Sequence, residues 1–418
     1  MTRPTAAAVI LGVALLAAVA SPALAESRYS LRGDGEEVTS SRADHRALGG
    51  AETATRIPSL SGNPASLAFA DRTTFYGTYD TEWIRTEESV TGAGNLVRKE
   101  YSGLVPNLGL IFPLPNGFRL GAGVLVSRRR GGVIEQNASV PDGLGGTVTY
   151  RQEFEGSGNL LRIPVLLARD FAGIQLGAGM DLMLLRTENR WMNDFSDVDP
   201  ALAYLNSEDT DETNLGGFAF RSGVRTTFLD WISIGGWATI PTRLSGERRL
   251  RSEQAGTTDD LTVDFEAEFH PSYSAGIELL PAARWRIVAD WVHEAWKDAD
   301  PLSPVDEFVN VDRYAVGVEW KPEEKRGGLN WPVRVGFRTA NLHVLDAGGR
   351  EVTERIFTAG SGFGIAGGRG DIDWYVEYGI RGEQDTNEYR EHLVRVGITL
   401  TGWEQWTRRR LPPEDDDW

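Results

Sequence analysis

The chain has 418 residues, with 43 Lys and Arg against 60 Asp and Glu, 48 Gly and no Cys. A net charge of −17 excludes nucleic acid as a partner, because phosphate repels an acidic surface. The lack of Cys excludes a disulfide-stapled scaffold, and no apolar run long enough for a spanning helix follows the first 25 residues.

Residues 1–25 read as a secretory signal. Arg3 is the basic region, Ala6 to Ala20 the apolar core, and Ala23-Leu24-Ala25 the small-x-small cleavage site. The mature chain then starts at Glu26, and with no Cys after the site it is not a lipoprotein. Residues 26–72 are rich in Ser, Gly, Arg and Asp and lack sustained alternation, which suits a disordered leader or a plug folded into a lumen.

From residue 73 the pattern changes to alternating segments. Strands are expected near 73–83, 101–113, 118–128, 159–169, 174–186, 217–229, 231–242, 271–280, 285–295, 311–321, 332–342, 354–366, 371–381 and 391–402, about 14 in all. The clearest is Asp371–Arg381. Ile372, Trp374, Val376, Tyr378 and Ile380 fall on one face, and Asp373, Glu377 and Arg381 on the other. In the final strand Val394, Val396, Ile398 and Leu400 share a face while Arg395 points the other way.

The connections sort by length. Short turns are expected at Pro115-Asn116-Gly117, Phe171-Ala172-Gly173, Asp230, Pro281-Ala282-Ala283, 321–329 and 367–370, and long loops at 84–100, 129–158, 187–216, 243–270, 296–310, 343–353 and 382–390. Phe171, Phe228, Trp231, Trp285, Trp320, Trp331 and Trp374 gather beside the short turns. Trp83, Tyr101, Trp191, Trp296 and Tyr314 gather near the long ones. Two rows of amphipathic rings mark two membrane interfaces, and short turns opposite long loops are the outer-membrane pattern. The expected fold is all-β: a transmembrane antiparallel β-barrel of about 14 strands over residues 73–406, in the bacterial outer membrane. An N-terminal hatch-like segment (26–72) precedes it and a polar periplasmic tail (407–418) follows.

The inward positions carry both signs, among them Asp80, Glu82, Arg162, Asp181, Glu278, Glu319, Asp373, Glu377 and Arg395. Salt-bridge packing that fills a wet barrel is the plain explanation. Arg221, Arg225, Arg334 and Arg338 are the candidate contacts for a ligand carboxylate, which Arg grips bidentately. No Gly-x-Ser-x-Gly motif occurs, and the five His show no metal spacing, so neither an enzyme nor a cofactor is expected. A serine across the strands from His392 is the residual enzymatic arrangement. The acidic stretch Asp194 to Glu212 does not fit a calcium loop, so no metal site is expected. Arg128-Arg129-Arg130 and Arg248-Arg249-Leu250-Arg251 lie at outer strand ends, where they suit lipid phosphate or solvent.

Asn63-Pro64-Ala65 just before the first strand, the strand count, the loop order and the closing Trp403-Glu404-Gln405-Trp406 together resemble the FadL-type transporters of long-chain fatty acids and other hydrophobic compounds. PorV-like secretion barrels of the same superfamily share a comparable Asn-Pro-Ala and end. The resemblance implies a hatch carrying Asn63, Pro64 and Ala65, and passive uptake of a hydrophobic small molecule. In some members the cargo leaves sideways through a gap in the wall. Proline cannot donate to a strand ladder, so Pro106 or Pro164 would mark such a gap, or else a simple bulge. The expected partners are the cargo, outer-membrane lipid and the barrel assembly machinery. A secretion or interaction partner, or a general diffusion porin, is the alternative reading.

Overall fold

The computed structural model describes residues 27–404 except 91–93, 142–144, 197, 199–203, 255, 301, 303–306, 324–330, 366–368 and 388. The signal segment, Trp406 and the 407–418 tail lie outside the described residues. Seventeen strands occur among them: β1 (Glu36–Glu37), β2 (Thr73–Val90), β3 (Gly94–Pro113), β4 (Phe118–Pro141), β5 (Thr147–Phe171), β6 (Ile174–Asp194), β7 (Ser207–Leu229), β8 (Ile232–Pro241), β9 (Leu244–Gln254), β10 (Thr257–Ala267), β11 (Ser272–Ala282), β12 (Trp285–Glu294), β13 (Val311–Trp320), β14 (Val333–Asn341), β15 (Thr353–Ile365), β16 (Gly370–Arg381) and β17 (Tyr389–Glu404).

Fourteen of them close a barrel. β2 to β8 pair in sequence order, β8 pairs with β11, β11 to β17 continue in order, and β17 returns to β2 over a ladder from Tyr389↔Glu88 to Glu404↔Thr73. Closure leaves no open edge in the membrane, which a lipid-embedded sheet requires. The expected inversion of faces is present. Val376, Tyr378, Val394, Val396, Ile398 and Leu400 are exposed on the outside, whereas Asp373, Tyr375, Glu377 and Arg381 are buried inside. One two-residue turn is Ala172-Gly173 between Phe171 and Ile174, with positive φ at both residues (53° and 96°), the hand that matches strand twist.

The expected strand positions hold, but the long connections differ from expectation. Most of 84–100, 129–158, 187–216 and 243–270 is strand rather than loop. β4 and β5 stay paired to Pro141↔Thr147, β6 and β7 to Asn193↔Ser207, and β9 and β10 form a further hairpin. Beyond the bilayer both sheet faces meet water, so both carry polar residues and the period-2 apolar signal disappears. A second correction concerns Trp296. It is fully buried rather than placed at an interface.

Candidate functional site

Residues 27–70 run through the lumen from the long-hairpin end to the short-turn end. At the top, Ser27 Oγ donates to Glu391 Oε2 at 2.7 Å, and the Tyr29 ring lies 4.5 Å from that of Tyr389. Arg381 then gathers the upper segment. It donates to both oxygens of Glu36 (2.8 and 3.0 Å), to Glu354 (3.0 Å) and to Glu391 (3.2 Å). Burial pushes the Glu36 carboxyl up, but the Arg381 and Arg395 guanidinium groups outweigh it and hold the carboxyl at about 2.

The short helix Ala43–Arg46 follows. Arg46 makes a two-pronged contact with Glu377, at 2.8 and 2.7 Å, and lies 4.6 Å over the Tyr375 ring. Thr399 Oγ1 accepts the Ala43 N–H at 2.8 Å, and Asp290 Oδ2 accepts the N–H groups of Glu52 and Thr53, both at 2.7 Å. A segment with so little regular structure must satisfy its backbone through wall side chains, and the charged lumen provides them.

Asn63, Pro64 and Ala65 sit near the short-turn end. Asn63 Oδ1 accepts the Ala65 N–H at 3.0 Å and so caps the 3-10 helix Pro64–Phe69, whose first residue is Pro64. Asn63 Nδ2 donates to Thr53 O at 2.8 Å and to Val224 O of the wall at 2.9 Å. The wall beneath is glycine: a Cβ on Gly177 would lie 2.5 Å from Ala65 N, and one on Gly223 would lie 2.8 Å from Pro64 Cδ. Such close approach is what Gly permits here.

The four candidate arginines are all buried and engaged. Arg221 donates to Leu60 O at 2.5 Å and pairs with Asp181, which also takes Arg162. Arg225 donates to Ala54 O at 2.7 Å and pairs with Glu278 at 3.0 Å. Arg334 bridges Glu319 and Asp373, each at 2.7 Å, and Arg338 meets Glu377 at 2.7 Å. Arg221 and Arg225 thus hold the N-terminal segment, and Arg334 and Arg338 complete ion pairs.

The two prolines have different surroundings. β3 and β4 pair only over Asn107–Pro113 and Arg119–Leu125. Pro106 is the first β3 residue past that ladder and, with Val105, forms a β-bulge opposite Tyr79 of β2 (Thr78↔Asn107, then Asp80↔Leu104); beyond it β3 follows β2 and β4 follows β5. The N-terminal segment occupies the split. Glu36 and Glu37 pair with Arg129 and Arg128, Val38 N donates to Ser127 O at 2.9 Å, Ser40 Oγ donates to Val126 O, and Asn107 Nδ2 donates to Ser40 O at 2.8 Å. Around Pro164 the β4–β5 register is the same on both sides (Ala122↔Val165, Leu125↔Arg162), and Pro164 stays aligned with Asp181 of β6.

A cavity of about 120 Å³ lies behind the split. Leu125, Met183, Ala219, Trp237 and Phe269 form its apolar part, and Glu37, Arg128, Arg162, Asp290, Glu294 and Arg313 its charged part. Above it Trp296 packs among Phe269 (5.3 Å), Phe308 (5.1 Å), His270 (3.9 Å) and His343 (4.4 Å), with Arg128 4.1 Å over its ring. Trp296 Nε1 donates to Glu294 at 2.8 Å. Arg128 and Arg130 are therefore buried in the lumen, not spread on lipid headgroups as their position at a strand end suggests. His392 lies 3.0 Å from the Tyr378 hydroxyl, on the outer face. No group of three or more acidic or His side chains among the described residues is placed to hold a metal ion.

Sequence reasoning missed Glu36 and Arg46. A signal for Arg46 exists: the charged run Arg42-Ala43-Asp44-His45-Arg46 directly before the small residues Gly49-Gly50-Ala51.

Three solved structures share the fold. The Pseudomonas putida toluene transporter TodX is 16% identical, with a TM-score of 0.56 over 88% of this chain and 99% of that one. The Ralstonia pickettii toluene transporter TbuX is 15% identical, with a TM-score of 0.56 over 90% and 99%. A Pseudomonas aeruginosa FadL homologue is 12% identical, with a TM-score of 0.52 over 91% and 99%. No protein of curated function matches the chain. The fold is thus that of the FadL-type outer-membrane channels, and the family model described as BamG matches residues 1–411. With nearly its whole length matched by that model, the chain belongs to the BamG family.

Proposed function

We propose that the protein is a gated outer-membrane barrel for passive uptake of hydrophobic small molecules. The observation that carries this reading is the β3–β4 split at Asn107 and Leu125, which fronts the central cavity and is stoppered by the chain's own residues 36–41. Cargo would enter between the outer hairpins, reach the apolar part of the cavity at Leu125, Met183 and Phe269, and leave sideways once that stopper withdraws. The hatch would turn about Asn63-Pro64-Ala65, which its glycine bed and Arg221 hold in place. Pro106 would keep the split from zipping, because it offers no N–H to a neighbouring strand. Long-chain fatty acids are one cargo class to test. The cavity arginines already hold carboxylates or aromatic rings, so the apolar chain, not the headgroup, would supply recognition.

The chain has no Cys, so a locking disulfide is a clean test. Val38→Cys with Ser127→Cys should form a bridge on oxidation. Uptake of a labelled hydrocarbon or fatty acid by cells carrying this variant should stop when oxidised and return on reduction. Equal uptake in both states would sink the lateral route.

A second reading, an interaction barrel of the secretion type, is favoured by one observation: the ordered sheet that β4 to β7, β9 and β10 raise beyond the membrane. A general diffusion porin needs an open lumen, and the wall contacts of residues 27–70 inside this one weigh against that reading.

A further inference from the structure

The outer sheet ends in an unusual edge. β4, β5, β6, β7, β9 and β10 stay paired above the level where β8 and β11 stop, at Pro241 and Ser272. β9 covers β7 on one side and β10 on the other, and no described strand pairs with the far side of β10. In an antiparallel ladder alternate residues aim their N–H and C=O outward, so β10 offers a row of such groups to water.

Exposed edges are normally blunted by Lys, Pro or a bulge. β10 has no Lys, Pro or bulge, and its only charges are the carboxylates of Asp259, Asp260, Asp264 and Glu266, which repel an acidic strand but not a basic one; its register with β9 is unbroken from Thr257↔Gln254 to Ala267↔Leu244. It also leaves two apolar side chains in water, Leu261 (55% exposed) and Val263 (38%), on the face shared with Asp259. The charges are unbalanced as well. Arg249 pairs with Asp260 and Arg243 with Glu266. No cation among the described residues pairs with Asp259, and Asp264 stands directly opposite Glu247, a like-charge alignment that costs stability within one sheet.

We propose that the β10 edge is a docking site for an extended basic segment of a partner protein on the outer side of the membrane, added as an antiparallel strand. Its register specifies the partner. Lys or Arg opposite Asp264 relieves the Asp264–Glu247 pair, apolar residues opposite Val263 and Leu261 cover those side chains, and a second Lys or Arg meets Asp259. The recognised pattern is basic-apolar-x-apolar-x-basic. Main-chain hydrogen bonds supply affinity, and the alternate side chains supply selectivity. The site is independent of lumen gating.

The test uses the full-length protein in detergent and a fluorescent peptide with Lys-Val-Thr-Val-Thr-Lys at its centre, followed by anisotropy. Binding is expected, with a loss of about tenfold or more in D259K/D264K, two surface ion pairs having been reversed. The same peptide with Glu in place of both Lys should bind that variant better than the parent protein, which separates charge pairing from a folding defect. Failure of the Lys peptide to bind, equal binding to parent and variant, or equal binding of a peptide with Pro replacing both Val each overturns the proposal.

Discussion

Arg46 of the N-terminal segment and Glu377 of β16 are 331 residues apart in sequence and meet through two hydrogen bonds of 2.8 and 2.7 Å, with neither residue more than 1% exposed. Arg338 reaches the same carboxylate at 2.7 Å. This contact ties the lumen segment to the barrel wall, and its removal tests how firmly the segment is held. Glu377→Gln leaves two buried guanidinium groups short of a counter-charge. A loss of about 3 to 5 kcal/mol is expected, as for one partner stripped from a buried pair. Urea unfolding in detergent should show it, together with faster proteolysis within residues 27–70.

The glycine bed gives a more local test. Gly223→Val puts a branched side chain where Pro64 Cδ already lies 2.8 Å from an added Cβ. The Asn63-Pro64-Ala65 turn should lift while the barrel stays closed. Protease sensitivity near residue 63 should rise with unchanged strand content by circular dichroism, and ion leakage through reconstituted bilayers should increase.

Acid should loosen the segment in two stages. Burial holds the His45 imidazole below its usual 6.5, against the pull of Asp44 and Glu52, and burial with Arg128 and His270 lowers His343 likewise. A depressed folded-state value means that the favourable, neutral-state contribution is full above 6.5 and is lost as pH falls through the lower, folded-state value. Glu36 is different: its contribution is full above its unfolded value of 4.5 and fades only as pH falls toward about 2. Limited proteolysis of residues 27–70 should therefore accelerate first below pH 6.5, and His45→Gln should blunt that first stage. A flat profile down to pH 4.5 would contradict the assignment.

The inverted faces predict opposite responses to charge. Val396 is lipid-facing and stands across from Thr81 of β2 and Val376 of β16. Val396→Arg should cost about 2 to 4 kcal/mol if the residue lies near the bilayer midplane, measured by reversible unfolding from vesicles. The neighbouring position already carries Arg395, which points inward and pairs with Glu82 and Glu36. Replacing Arg395 with Met should disturb lumen docking rather than membrane insertion.

Much of the barrel is legible because bilayer and lumen impose opposite demands on successive residues. Asp371–Arg381 shows its faces, its pairing period and its place in the membrane in eleven letters. The outer hairpins are not legible in that way, since Glu253 and Asp264 stand in water on one face and Ser252 and Asp259 on the other. The site is less legible still. Asn63-Pro64-Ala65 stands out as a motif, but nothing in the letters says that Asn63 bonds Val224 or that Arg46 finds Glu377.

By itself, then, the sequence determines an all-β barrel in the outer membrane, its strand order and which side chains face inward, because each follows from a local period of two and from turn chemistry. Only the tertiary structure decides that residues 27–70 run through the lumen, that β3 and β4 part at Pro106, and that β10 ends in an open acidic edge. These depend on contacts between residues hundreds of positions apart and on where a ladder stops. Neither leaves a periodic trace in the chain.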